Sequence, residues 1–160
     1  MLLSIHILLQ PKVFAFDPTV TYKENRSANV KFKKWGVVGP TSKDENYKTL
    51  KEILRINEHS DTKISYLKMD IEGSELSGLP VWLKSGALDN VQQIALEIHL
   101  NSLTTKRFLQ TFKDLQLSGN FRIFNYYPNG CWKNMVSNTR YYDLFEIVLK
   151  RISASDECAM

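Results

Sequence analysis

One stretch of the sequence, residues 64–75, constrains the fold more than any other. Its first half is a short apolar run that ends at Met69 and is long enough for a strand buried on both faces. Its second half turns on Gly73 into a segment of helical pattern. This part carries three acids, Asp70, Glu72 and Glu75. A buried strand that delivers carboxylates to its C-terminal end and then turns into a helix is a βα junction. Ligands bind at that edge of open α/β sheets, so the sequence predicts a functional site there.

A second strand-like run, residues 93–100, carries Glu97 and His99 two positions apart. Side chains two positions apart in a strand point to the same face of the sheet. We expect this strand to lie beside the first one, so that ionisable groups meet at the ends of two neighbouring strands. The best candidate site therefore consists of Asp70, Glu72, Glu97 and His99.

Composition narrows the classes of function. The 160 residues fit one domain with its own core, and 43% hydrophobic and 24% charged residues are ordinary for a soluble globular protein. The net charge of +4 is mild, and the densest basic cluster, Lys31, Lys33 and Lys34, is too short for a nucleic-acid surface. Cys131 and Cys158 do not have the spacing of a metal site. We therefore expect neither a nucleic-acid partner nor a cysteine-based metal centre.

The N-terminal residues 2–9 are strongly apolar but much shorter than the about 20 residues that cross a bilayer. They also lack the basic region and the cleavage site of a signal peptide. We therefore expect no membrane span in this chain. The expected organisation is an apolar N-terminal remnant over residues 1–12, a domain over 13–150 and a flexible tail over 151–160.

Hydrophobic periodicity and turn residues predict the order strand, strand, helix, strand, helix, strand, helix, strand, strand. The strands are expected at residues 12–17, 30–39, 64–69, 93–100, 121–127 and 142–150, with a break at Gly36. The helices are expected at residues 41–60, 74–86 and 104–118. Pro80 predicts a kink in the second helix or its division in two, and residues 128–141 are expected to be a long polar loop.

The predicted fold class is α/β. Strands that alternate with helices favour a mostly parallel sheet with helices on both faces. The last two strands have no helix between them, so they should form an antiparallel hairpin at one edge. A Rossmann-like sheet with such a hairpin is the class I arrangement of the S-adenosylmethionine-dependent methyltransferases.

Three segments resemble motifs of the FkbM-related methyltransferases, in particular of the animal methyltransferase-like proteins with this domain. They are Val-Phe-Ala-Phe-Asp-Pro-Thr-Val at residues 13–20, Leu-Lys-Met-Asp-Ile-Glu-Gly-Ser-Glu at 67–75 and Leu-Glu-Ile-His-Leu at 96–100. The string D-I-E-G-x-E is moderately specific by itself, and its combination with the other two is more so. The resemblance runs from about Val13 to the last strand and implies S-adenosylmethionine as the cofactor.

The resemblance implies a cofactor-binding role for Asp17, Trp35 and Gly36. Asp17 would accept hydrogen bonds from the ribose hydroxyls of the cofactor, which a carboxylate can do for both hydroxyls together. The alternative is that Asp17 is only a turn residue before Pro18. Trp35 and Gly36 would lie beside the adenine, although Trp35 could equally belong to the core.

The resemblance also places Asp70 beside the methionine part of the cofactor and its transferable methyl group. Methyl transfer is an in-line displacement to which positioning contributes much, and an acid or a histidine can take the proton from an oxygen or nitrogen acceptor. Asp70, Glu72, Glu97 and His99 fit this catalytic work as a group, with Asp70 first and His99 as a candidate base. Alternatively, two carboxylates and a histidine could hold a divalent cation. Glu75 would merely favour the positive end of the helix.

The chain departs from the family's pattern at its start. Family members begin with a strand, a glycine-bearing loop and a helix, which need roughly 25–30 residues, whereas residues 1–12 contain no glycine. Without the first strand the sheet would have a gap or an unpaired inner edge. Three hypotheses follow. The chain is a methyltransferase, complete or truncated, for a small-molecule, glycan-type or lipid-linked acceptor; or a catalytically inactive binding module; or a metal-dependent hydrolase that uses the same acids.

Overall fold

The computed structural model describes residues 12–20, 28–39, 42–99, 105–129, 133–134, 140–141 and 144–153. The described helices are α1 (Leu50–Ile56), α2 (Glu75–Lys84) and α3 (Thr105–Leu117). The described strands are β1 (Val13–Phe16), β2 (Val30–Lys33), β3 (Gly36–Val38), β4 (Tyr47–Thr49), β5 (Leu67–Met69), β6 (Gln93–His99), β7 (Phe121–Asn129), β8 (Lys133–Asn134), β9 (Arg140–Tyr141) and β10 (Leu144–Arg151). The fold is α/β. Residues 1–11 and 154–160, to which most of the expected remnant and tail belong, lie outside the described residues.

The largest sheet has four strands in the order β5-β6-β10-β7. β5 runs parallel to β6, whereas β10 runs antiparallel to both of its neighbours, β6 and β7. The predicted antiparallel pair of the last two long strands is therefore confirmed, and it lies at one edge of this sheet. The segment predicted to be a loop between them contains the short antiparallel pair β8–β9.

The first four strands form two separate parallel pairs, β1 with β2 and β3 with β4. The predicted break at Gly36 separates β2 from β3. Within the described ranges, β1 pairs only with β2 and β5 pairs only with β6. The single, mostly parallel sheet that we expected is therefore divided here, because no described strand connects β1 to β5 by backbone hydrogen bonds.

The core lies on one face of the four-stranded sheet. Ile94, Leu96 and Ile98 alternate along β6 and are all fully buried in the same cluster. The helices contribute their buried apolar residues to this cluster, Leu76, Leu79 and Trp82 from α2 and Phe108 and Leu115 from α3. Both α2 and α3 therefore pack on this face of the four-stranded sheet. The period of two in β6 leaves Glu97 on the opposite face.

The first helix begins at Leu50, whereas the sequence patterns predicted a start between residues 41 and 45. Asp44 forms a turn instead, because its Oδ1 accepts a hydrogen bond from the Asn46 N–H at 2.9 Å, and β4 follows. Thr49 then caps α1. Its hydroxyl accepts from the Glu52 N–H at 3.2 Å, and the Glu52 carboxylate accepts from the Thr49 N–H at 2.8 Å. This reciprocal capping box satisfies two otherwise free N–H groups and fixes the start of the helix.

α2 is a single helix of ten residues with Pro80 inside it, so the predicted division into two helices is wrong. Proline lacks the N–H that would bond to the carbonyl four residues earlier, and here that carbonyl belongs to Leu76. The buried contacts of Leu76, Leu79 and Trp82 hold the helix together across this position. None of the helices in the described part of the chain is long and apolar enough to span a membrane.

Candidate functional site

The connection between β5 and α2 is a tight turn that follows Asp70. The Ser74 N–H donates to the Ile71 carbonyl oxygen at 3.2 Å, and the two residues between them have positive φ angles, 54° at Glu72 and 89° at Gly73. Positive φ at both central positions is characteristic of a type I′ turn. Gly73 adopts this conformation freely, whereas the left-handed region costs a residue such as Glu72 about 1–2 kcal/mol. Asp70 and Glu72 are both exposed at the C-terminal edge of β5.

Glu75, the first residue of α2, is fully buried. Its Oε1 accepts a hydrogen bond from the Ile71 N–H at 2.9 Å, and its Oε2 is buried without a hydrogen-bond partner among the described residues. A buried carboxylate oxygen without a partner carries a desolvation penalty and is uncommon in native structures. The expectation that Glu75 only favours the helix end misses this contact, because its partner is a backbone N–H that no side-chain pattern reveals.

The register of the sheet brings Asp70 next to Glu97. Met69, which immediately precedes Asp70, pairs with Leu96, which immediately precedes Glu97. The ends of β5 and β6 thus carry two of the predicted catalytic residues at adjoining positions. For His99 the structure describes the backbone within β6, and its side chain lies outside the described part.

Two further polar residues share the face of the sheet that carries Glu97. Glu97 pairs with Glu146 of β10, and Glu146 pairs with Tyr127 of β7. Directly opposite residues have Cβ atoms about 4.5–5.5 Å apart, so these carboxylates and the phenol form a polar row across three strands. The sequence indicates only that Glu146 lies on one face of a strand. Its position opposite Glu97 depends on strand register, which the sequence patterns do not define.

A metal site is not formed by the side chains that the structure describes. Among them, no three His, Cys, Asp or Glu residues come together in a group that could hold a metal ion. The alternative of a cation held by two carboxylates and a histidine includes His99, whose side chain lies outside the described part, so it stays a prediction.

Asp17 follows β1 and forms a local turn. Its Oδ1 accepts hydrogen bonds from the Thr19 hydroxyl and N–H, both at 2.7 Å, and from the Val20 N–H at 3.3 Å. The Thr19 hydroxyl, followed by the Thr19 N–H, holds the pKa of the Asp17 carboxyl below its usual value. The three bonds within this turn all use Oδ1, so Oδ2 remains the oxygen through which a ligand could be bound. The turn role and the cofactor role are therefore compatible.

Trp35 lies beside the end of β1. Its ring stacks on Phe16 with the ring centroids 6.2 Å apart and the planes 8° apart. The ammonium groups of Lys33 and Lys48 lie 4.4 and 5.1 Å from the indole centroid. The ring is only partly buried and does not belong to the core cluster, so the alternative of a core residue is wrong for Trp35.

Gly36 lies where β3 passes two neighbouring side chains. A Cβ atom at this position would lie 2.4 Å from the Tyr47 ring and 3.2 Å from Pro18, the residue after Asp17. The chain can pass this closely only because Gly36 has no side chain. The structure therefore brings together the three residues predicted to bind the adenosine part of the cofactor, Asp17, Trp35 and Gly36.

An apolar cleft lies elsewhere, between α3 and the β7–β10 pair, and its walls include Phe108, Leu109, Tyr126 and Phe145. Among the described residues that line it, none carries a carboxylate, imidazole or amine, and none is a predicted site residue. Acid–base chemistry needs such groups within hydrogen-bond reach of the reacting atoms. We therefore place the candidate site at the ends of β1, β5 and β6 and not in this cleft.

Comparison with known proteins identifies a family model that matches the chain. A family model described as the Methyltransferase FkbM domain matches residues 15–122, which is more than half of the chain. The matched range contains every predicted site residue, Asp17, Trp35, Gly36, Asp70, Glu72, Glu97 and His99. No curated protein and no solved structure matches the chain.

Proposed function

The chain belongs to the FkbM methyltransferase family, and we propose that it transfers a methyl group from S-adenosylmethionine to an oxygen or nitrogen acceptor. Family membership supports methyltransferase activity in general. The acceptor classes that we propose are small molecules, glycans and lipid-linked compounds.

We also propose that the described sheets are parts of one Rossmann-like class I domain over residues 13–150. In that arrangement β1 and β2 correspond to the second and third strands and β5 and β6 to the fourth and fifth. The supporting observation is the position of β10, which lies antiparallel between β6 and β7 as the terminal hairpin of that sheet requires. In the family pattern, the first strand lies at the centre of the sheet, between the strands that correspond to β1 and β5.

One observation carries the cofactor assignment, namely the grouping of Asp17, Trp35 and Gly36 at the end of β1. The residues fit an adenosine in their chemistry. An aspartate carboxyl is ionised near neutral pH, and the Thr19 hydrogen bonds lower the pKa of Asp17 further, so its Oδ2 can accept from a ribose hydroxyl. The partly exposed Trp35 ring offers an aromatic surface beside it.

When bound, S-adenosylmethionine supplies a methyl group on a positively charged sulfur. The exposed Asp70 carboxylate at the end of β5 would orient the methionine part and favour the positive charge near it. Asp70 or His99 would take the proton that the acceptor loses, and Glu72 and Glu97 would help to hold the acceptor. Because Asp70 and Glu97 occupy adjoining strand positions, orientation and proton removal would be served from one edge of the sheet.

The first test is calorimetric titration with S-adenosylmethionine and S-adenosylhomocysteine. The key variant is Asp17→Asn, which keeps an Oδ1 acceptor for the Thr19 turn and replaces Oδ2 with an NH2 group that cannot accept from ribose. We expect binding to weaken by about 1–3 kcal/mol, the cost of losing one such acceptor, and by a similar amount in Asp17→Ala. Asp44→Asn is the matched control, because Asp44 makes the same kind of turn through Oδ1.

A second candidate function is a catalytically inactive binding module with the same fold. It is favoured by the use of Asp17 in its own turn, since that carboxylate has a structural role without any ligand. Protein that circular dichroism shows to be folded, and that gives no heat with either compound, would support the module and refute the methyltransferase. Equal weakening in Asp17→Asn and Asp44→Asn would instead assign the effect to turn stability.

A further inference from the structure

We propose that Glu75 is a positioning residue, whose buried carboxylate holds the turn formed by residues 71–74 and thereby fixes Asp70 in the geometry that binds the cofactor. Only the effect on cofactor binding rests on the proposed function. The effect on the turn concerns the chain by itself and can be measured without any ligand.

The backbone of Ile71 makes two hydrogen bonds that hold the turn. Its N–H donates to Glu75 Oε1 at 2.9 Å, and its carbonyl oxygen accepts from the Ser74 N–H at 3.2 Å. Both polar groups of its backbone are therefore engaged, one by the side chain of α2 and one by the turn itself. This matters because Glu72 lies in the left-handed region with φ 54°, which disfavours the turn for any residue with a Cβ atom. The bond from Glu75 offsets this strain.

The burial of Glu75 indicates that its carboxylate has a specific role at this position. Its neighbours on the buried side of α2 are apolar, Leu76, Leu79 and Trp82, and a further apolar residue would fill the same space without desolvating a carboxylate. What a carboxylate provides and a leucine does not is an acceptor for the Ile71 N–H. Glu75 therefore carries the desolvation cost of its buried Oε2, which has no partner among the described residues, at the position where its Oε1 holds the turn.

Asp70 lies directly before the turn that Glu75 holds. Asp70 stands between Met69, which is buried at the end of β5, and Ile71, which Glu75 holds. Its backbone is therefore fixed on both sides although its side chain is exposed. Loss of the Glu75 contact would free the C-terminal side of Asp70 together with Glu72. We expect this to reduce affinity for the cofactor without removing any group that touches it.

Amide hydrogen exchange and calorimetry test the proposal together. In Glu75→Ala the Ile71 N–H should exchange about tenfold faster, and S-adenosylhomocysteine should bind about tenfold more weakly, as expected for one lost hydrogen bond. Glu75→Gln should restore both values, because its amide oxygen can accept from the same N–H. Glu52→Ala is the matched control, since it removes a glutamate that bonds to a backbone N–H at the start of α1. It should leave both values as in the parent.

A second variant covers the case in which Glu75→Ala does not fold. Gly73→Ala adds a Cβ atom with nothing within 4 Å, so it strains the turn only through its φ of 89°. It should raise Ile71 exchange and weaken binding in the same way. Unchanged Ile71 exchange in both variants, or a Gln variant that behaves like Ala, would overturn the role of Glu75. Faster exchange with unchanged affinity would overturn the proposed effect on cofactor binding.

A parent protein that binds neither compound would overturn the effect on cofactor binding together with the proposed function. The exchange rates would still decide whether Glu75 holds the turn.

Discussion

Replacing Arg151 with alanine should destabilise the protein strongly. This side chain joins the last strand, β10, to two connecting segments that are distant from it in sequence. Its Nε donates to the Val91 carbonyl at 2.9 Å, its Nη1 to Gly119 at 2.7 Å and its Nη2 to Leu88 at 2.6 Å. The guanidinium carbon also lies 4.4 Å from the centroid of the Phe121 ring. One residue of β10 thus holds the α2–β6 connection and the α3–β7 connection in place.

The magnitude follows from these contacts. A typical hydrogen bond contributes about 1 kcal/mol net, and we use this value because Arg151 is only partly buried. Three bonds and a cation–π contact of about 0.5–1 kcal/mol together give about 3–4 kcal/mol. Burial lowers the pKa of Arg151 and the nearby Asp89 charge opposes this shift. The guanidinium nevertheless stays charged, because an arginine does not lose its proton in proteins.

Urea unfolding followed by circular dichroism measures this loss. For a domain of this size, about 3–4 kcal/mol corresponds to a fall in melting temperature of roughly 10 °C. Arg151→Lys keeps the charge but not the fork of donors, so it should recover only part of the stability. Arg55→Ala, an exposed change on α1, should stay within about 0.5 kcal/mol of the parent. An Arg151→Ala protein within about 1 kcal/mol of the parent would refute the reasoning.

Two further predictions concern the elements that lead to the site. Thr49→Ala should lower the free energy of unfolding by about 1 kcal/mol through loss of the α1 cap. The Thr49 N–H, followed by its hydroxyl, lowers the pKa of Glu52, so the Glu52 part of this cap is present above the usual glutamate pKa of 4.5 and is lost as pH falls through the lower folded pKa. A difference between parent and variant that grows on acidification would contradict this sign. Gly39→Ala should cost about 1–3 kcal/mol, because its Cβ atom would lie 2.6 Å from the Ser77 carbonyl oxygen of α2, and an unchanged melting temperature would contradict the close approach.

Elements with a strong local pattern could be predicted from the sequence. β6 and α3 have apolar residues at the periods of a strand and a helix, and both form within a residue or two of the expected bounds. The start of α1 could not be placed in the same way. Small polar residues and acids at 41–45 have the composition of a helix start, but Asp44 uses its side chain to close a turn. The capping box of Thr49 and Glu52 determines the start instead.

The site was predictable only where it depends on neighbours in sequence. The strand, glycine and helix pattern places Asp70 and Glu72 at the turn after β5, and they occur there. Glu146 and Tyr127 could not be assigned to the same polar row, because their positions opposite each other and Glu97 depend on long-range register. Arg151 could not be assigned either, since its partners lie between 32 and 63 positions away along the chain.

The core itself positions the polar row, and β6 shows how. Ile94, Leu96 and Ile98 are buried against the helices, and a shift of one residue in the pairing of β6 would expose all three. Burial of these side chains therefore fixes the register of β6 against both neighbours. The same register sets Glu97 opposite Glu146 and beside the position that follows Met69. The carboxylates are thus held where they are by hydrophobic contacts on the other face of the strand, so a substitution of Leu96 that shifts the strand would displace the site without touching it.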